Sequence, residues 1–153
     1  MDADLINPFT DAALNVLDTM ASTRAQAGKP YIKKDKVARG DITEVIGRTG
    51  EARGTISVSF SKKSILSIVS NMFGEEIKEL NEEINDAAGE ITNVISGQAR
   101  KKLDEQGMSL KAAIPSVIMG KNHTITHMTT SPIIAIPFST DNGDFTIEVC
   151  IEG

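Results

Sequence analysis

The sequence contains no tryptophan, and aromatic residues make up only 4% of it. Its core must therefore rest on Ile, Val, Leu, Ala and Met. Single-stranded nucleic acid would find few of the stacking platforms it needs. Basic runs are equally scarce. The densest, Lys33-Lys34-Asp35-Lys36, is short and carries an acid, and the net charge is −5, so nucleic acid is not an expected partner. The single cysteine, Cys150, excludes an internal disulfide. It stands in Phe145-Thr-Ile-Glu-Val-Cys-Ile151, among acidic neighbours and with no nearby His, and reads as a half-buried strand residue rather than a nucleophile.

No stretch approaches 18 apolar residues, and Met1-Asp-Ala-Asp-Leu-Ile-Asn7 lacks a basic segment followed by an apolar run. The expectation is a soluble cytoplasmic protein without membrane contact. Also missing are a Cys-x5-Arg loop, a P-loop and a carboxylate–histidine cluster for two metals. The spacing of His123-Thr-Ile-Thr-His127 would suit zinc on a helix, but its Thr-rich surroundings are β. On a strand the two rings stand about 13 Å apart, too far for one metal. No metal or cofactor of the chain's own is expected.

What is present fits one domain spanning residues 1–153, with 40% hydrophobic and 24% charged residues. A first helix is predicted from Asn7-Pro8, with Asn as cap and Phe9, Ala12, Ala13, Val16, Leu17 and Met20 at helical spacing. Tyr31 to Val37 should be extended. Ile42 to Arg48 and Ala52 to Phe60 read as a hairpin with one buried face (Ile56, Val58, Phe60) and one polar face (Thr55, Ser57, Ser59). Ser61 can cap a short helix that stops at Gly74. An acidic connector, Glu75 to Glu83, leads into the longest helix, which reaches about Leu103 and is closed by Gly107. Four strands follow: Ala113 to Met119, Thr124 to Thr130, Ile133 to Ser139 and Asp144 to Ile151. Pro115, Pro132 and Pro137 are confined to strand starts, edges or bulges. The fold class is α+β, a largely antiparallel sheet with helices packed on one face.

With about 100° between successive residues of the long helix, Ile84, Ala87, Ala88, Val94, Ile95 and Gln98 gather around Ile91 as a core face. Asp86, Glu90, Asn93 and Gly97 gather on the solvent side, with Glu90 and Asn93 adjacent at a spacing of three. Glycine inside a helix costs about 0.5–1 kcal/mol relative to alanine. Gly89 and Gly97 therefore suggest close approach, Gly89 to another element and Gly97 to a partner. Glu82 and Asn85 repeat the Glu-x-x-Asn spacing at the helix start, without the preceding glycine.

The segment Asp86-x-x-Gly89-Glu90-x-x-Asn93-x-x-x-Gly97 resembles the signature helix of the CheC/CheX/FliY chemotaxis phosphatases. Asn7-Pro8-Phe9-x-x-Ala12, Gly54-Thr-Ile-Ser-Val-Ser-Phe60, Asn71-Met-Phe-Gly74 and Pro115-Ser-Val-Ile-Met-Gly120 are similar to other family segments, in the same order. One copy of the full motif is present, as in CheX. The resemblance implies a phosphatase acting on the phosphoaspartate of a CheY-like response regulator in chemotaxis or two-component signalling. In this family the receiver domain holds the Mg²⁺, Asn93 would orient the hydrolytic water, and Glu90 would pair with the receiver's active-site Lys. It also implies a homodimer joined through strands, for which Thr124 to Thr130, lacking proline and fixed charge, is the candidate edge. The alternative is a non-catalytic module binding response regulators or the flagellar switch. A small-ligand sensor is disfavoured by the few aromatic anchors.

Overall fold

The computed structural model describes the backbone of residues 3–34, 37–38, 40–50, 53–107, 110–111, 116–119, 123–124 and 132–152. Helix α1 spans Ala3–Ala21. It begins before the predicted Asn7-Pro8 and carries Pro8 inside. A proline there removes one backbone hydrogen bond, but the added turn buries Ile6 and packs Leu5 against the core. Helix α2, Lys62–Phe73, follows the prediction closely. The Ser61 hydroxyl accepts from the Ser64 N–H, and Gly74 closes the helix at φ 68°, a left-handed conformation that suits glycine. Helix α3, Glu82–Glu105, is capped by Asn81, whose side chain accepts from the Ile84 N–H at 3.0 Å.

Ten strands are described: β1 (Gln26–Ala27), β2 (Tyr31–Lys33), β3 (Val37–Ala38), β4 (Ile42–Gly50), β5 (Arg53–Phe60), β6 (Leu110–Lys111), β7 (Ser116–Met119), β8 (His123–Thr124), β9 (Ile133–Thr140) and β10 (Gly143–Glu152). The main sheet runs β1-β9-β10-β5-β4-β6, with β2 also on β9 and β7 also on β4; β3 and β8 form a separate pair. Every pairing is antiparallel. Of the strands of the C-terminal half, β9 and β10 pair directly, but the others do not continue from them: β10 enters between β9 and β5, and β7 borders β4. Pro115 and residues 125–130 of the predicted edge strand lie outside the described residues.

Pro132 precedes β9. Pro137 falls where the outer neighbour of β9 changes from β1 to β2, and there the Gly28 N–H donates to the Pro137 carbonyl at 2.7 Å. The missing proline N–H faces this break, as the rule for prolines in sheets requires. The helices pack on the face of Ile42, Ile56, Val58, Phe60, Phe145 and Ile147, where Phe138 and Phe145 stack at 4.7 Å.

The opposite face departs from expectation. Thr43, Thr55, Ser57 and Ser59 are polar but buried, as are Glu148 and Cys150. Thr43 and Ser59 hydroxyls meet at 2.9 Å. Lys33 donates to Glu148 at 2.6 Å. The reading of a solvent-facing polar side is therefore corrected: alternation identified the face but not its burial. Cys150, expected to be half-buried, is fully so. At Gly54 there is no room for a Cβ, which would fall against the Cys150 carbonyl oxygen and the Ile151 side chain.

Candidate functional site

Helix α3 presents the predicted residues together. Asp86, Glu90 and Asn93 are exposed on its outer face, and Gly97 is half-buried beside them. Where a Gly97 side chain would stand there is open space. Among the described residues, the Glu90 and Asn93 side chains enter no hydrogen bond or ion pair, so both are available to a second molecule.

The buried face of α3 is rotated from the predicted one by roughly 60°. Gly89, Thr92 and Ser96 are buried with Ile84, Ala87, Ala88, Ile91, Ile95, Ala99 and Leu103. Gln98, predicted as core, is exposed and accepts a hydrogen bond from the Asn15 side chain of α1 at 3.1 Å. The helix is covered by α1 on one side and by β4 and β5 on the other, so its covered arc is wider than the apolar one. Asn85 is half-buried and turned about 80° from Asn93 around the axis. The second Glu-x-x-Asn, Glu82 and Asn85, therefore does not form an exposed pair.

Gly89 approaches another element, as its presence within a helix suggested. A Cβ built there would stand 3.5 Å from Glu44 Oε2 of β4. Glu44 is fully buried, and among the described residues neither of its carboxyl oxygens has a hydrogen-bond partner. Burial, reinforced by the nearby charge of Asp86, pushes its pKa up to about 8. It therefore holds its proton at neutral pH. No expectation from sequence included Glu44. A signal was available: Ile42 and Glu44 alternate in register with Phe60 and Val58, which places the acid on the core side.

Among the described residues no group of three or more His, Cys, Asp or Glu is gathered as a metal site. His127 lies outside them, and of His123 only the backbone is described. No described helix is long and apolar enough to cross a membrane. An open hollow of about 470 Å³ lies between the end of α1 and the end of α2, lined by Ser22, Ser70, Asn71, Gly74, Glu75 and Glu76. The candidate site is instead an exposed helix face, suited to insertion into a partner.

Residues 42–139 match the family described as chemotaxis phosphatase CheX. The chain is 27% identical to the CheY-P phosphatase CheX of Thermotoga maritima, over 99% of this chain and 98% of that protein. It shares 45% identity and a TM-score of 0.91 with the chemotaxis protein CheX of Vibrio vulnificus, over 98% and 100% of the two chains. A chain of the CheX–CheY–BeF3–Mg²⁺ complex from Borrelia burgdorferi aligns at a TM-score of 0.83 and 25% identity, over 99% of this chain and all of that one.

Proposed function

The chain belongs to the chemotaxis phosphatase CheX family, and from that premise we propose that it hydrolyses the phosphoaspartate of a CheY-like response regulator in the cytoplasm, with Glu90 and Asn93 as its working residues. The observation that carries this reading is the pairing of Glu90 and Asn93 on the exposed face of α3, fixed by a fully packed opposite face. The Borrelia complex, which joins CheX with CheY, BeF3 and Mg²⁺, supports the choice of partner.

Phosphoaspartate is an acyl phosphate and already reactive. What this chain supplies is placement. The Asn93 amide can accept from and donate to a water held in line with the P–O bond, and it brings no charge towards the phosphoryl oxygens. The water attacks phosphorus, the aspartyl oxygen leaves with the bond electrons, and the products are the free carboxylate and inorganic phosphate. Receiver domains carry their own Mg²⁺, which offsets phosphoryl charge, so this chain needs no metal ligand for the reaction. Glu90 offers its carboxylate to a receiver lysine, and Gly97 leaves room for a partner backbone, with Asp86 at the rim of the same contact.

The two residues should separate in kinetics. Glu90→Ala removes a charge-assisted contact of about 1.5–3 kcal/mol, so KM for the phosphorylated receiver should rise roughly ten- to hundredfold. Asn93→Ala should leave KM within about threefold. An unchanged KM in Glu90→Ala would remove Glu90 from the docking contact.

The same reading includes a homodimer joined through sheet edges. Its support among the described residues is β2, whose far side takes no strand and which carries Tyr31 and Ile32 with 47% and 54% of their surface exposed. Exposed apolar edges of this kind invite pairing. Sedimentation equilibrium at micromolar concentration should give about twice the 16.4 kDa chain mass; a single species at the chain mass rules the dimer out.

A further inference from the structure

Glu44 is a buried acid that neither the fold nor the reaction explains. It stands on β4 between Val58 of β5 and Val117 of β7 in the pairing register. On its own strand the inward neighbour is Ile42, and above it lie Gly89 and Asp86 of α3. Among the described residues, Asp86 is the charged group that acts on it, and no cation does. A leucine would satisfy this position with less desolvation, so retention of an acid calls for a role.

The geometry points to one. Glu44 Oε2 lies where it would meet a side chain of residue 89, directly beneath the turn that carries Glu90. Asn93 follows Gly89 by one turn, and helical side chains lean towards the N-terminus. The Asn93 side chain, turned only about 40° from Gly89 around the axis, thus leans towards the same stretch of helix that Glu44 faces. Resting on the reading of Glu90 and Asn93 as the working pair, we propose that Glu44 is a positioning residue: its carboxyl is the seat for turn Asp86–Glu90 of α3 and sets the height at which Glu90 and Asn93 stand above the sheet.

The seat depends on a proton. Below pH about 8 the carboxyl is neutral and fits among Val58, Ile42 and the bare Gly89 backbone. Above it, a carboxylate without a hydrogen-bond partner faces Asp86, and α3 must lift for water to reach it. In sign, a folded-state pKa raised from 4.5 to about 8 means that stability falls as pH rises through that interval and levels off beyond it.

The test compares wild type with Glu44→Gln, which keeps the shape and cannot ionise, and with Glu44→Ala, which removes the seat. Phosphorylated receiver decay is followed at pH 7 to 9, and amide exchange of residues 86–93 is measured over the same range. Glu44→Gln should retain kcat within about threefold at pH 7, while Glu44→Ala loses about tenfold in kcat with KM within about twofold. The wild-type to Glu44→Gln rate ratio should fall about tenfold from pH 7 to 9, as the neutral fraction does. Exchange of these amides, taken relative to the base-catalysed intrinsic rate, should accelerate in wild type alone. Glu44→Gln keeps the proposal testable if Glu44→Ala does not fold. Asn93→Ala is run in parallel: if it stays fully active, the working pair itself is wrong. If it is inactive while the wild-type to Glu44→Gln ratio and exchange stay flat with pH, the seat alone is overturned.

Discussion

Replacing Asn93 with alanine should lower accelerated hydrolysis of the receiver phosphoaspartate by about a hundredfold or more, the scale seen when a group that positions a reacting partner is removed. The fold should not register the change. Asn93 is exposed and makes no side-chain hydrogen bond or ion pair among the described residues, and exposed substitutions of this kind stay within about 0.5 kcal/mol. Alanine is also the better helix former, so Tm should hold or rise slightly. Receiver binding should survive, because the docking charge is the one proposed for Glu90. The combination is diagnostic: a stable, receiver-binding protein that no longer shortens the lifetime of the phosphorylated state. A shortened receiver-phosphate lifetime with wild type would also decide against a purely binding module, which would leave that lifetime unchanged. Full activity in Asn93→Ala would take the chemistry away from this helix.

The largest effect on stability is expected at Lys33. Its ammonium lies 2.6 Å from Glu148 Oε2, with side-chain exposures of 8% and 2%. The pair ties β2 to β10 across β9. Replacing Lys33 with methionine keeps much of the stem's packing and removes the cation 2.6 Å from a buried carboxylate, a change that costs up to about 3–5 kcal/mol in comparable sites. For a domain whose total stability is of order 5–15 kcal/mol, the midpoint of urea unfolding should move far down. Adding Glu148→Gln should recover much of the loss, because both charges are then gone. A cost below about 1 kcal/mol for Lys33→Met alone would mean the pair behaves as a surface contact.

What could be read beforehand followed the range of the interactions. Helix α2 was legible because Ser61 and Gly74 act on backbone groups a few residues away. Glu90 and Asn93 could be singled out as candidates only through a signature set in an ordered series of family segments, since spacing alone also matched Glu82 and Asn85; what the structure adds is that both are exposed. The start of α1 was misplaced because Asn7-Pro8 is a local start signal, whereas the burial of Ile6 is a tertiary gain. The arc of α3 was misjudged for a related reason. Gly89, Thr92 and Ser96 do not look like core residues until β4 lies against them. Glu44 escaped notice because charge argues for the surface, and only the register of β4 with β5 places it inside.

The position of β10 has a consequence for how the chain comes together in time. It fills the space between β9 and β5, with Phe145 opposite Phe60 and Val149 opposite Ile56, partners separated by most of the sequence. Until it docks, β5 has a raw edge and the hairpin with β4 leaves Ile56, Val58 and Phe60 without their neighbours. Closure over so long a loop is slow relative to local steps. During synthesis the first half of the protein therefore waits, partly collapsed and sticky, for residues 143–152. That interval is when an unfinished chain is most prone to associate with its copies.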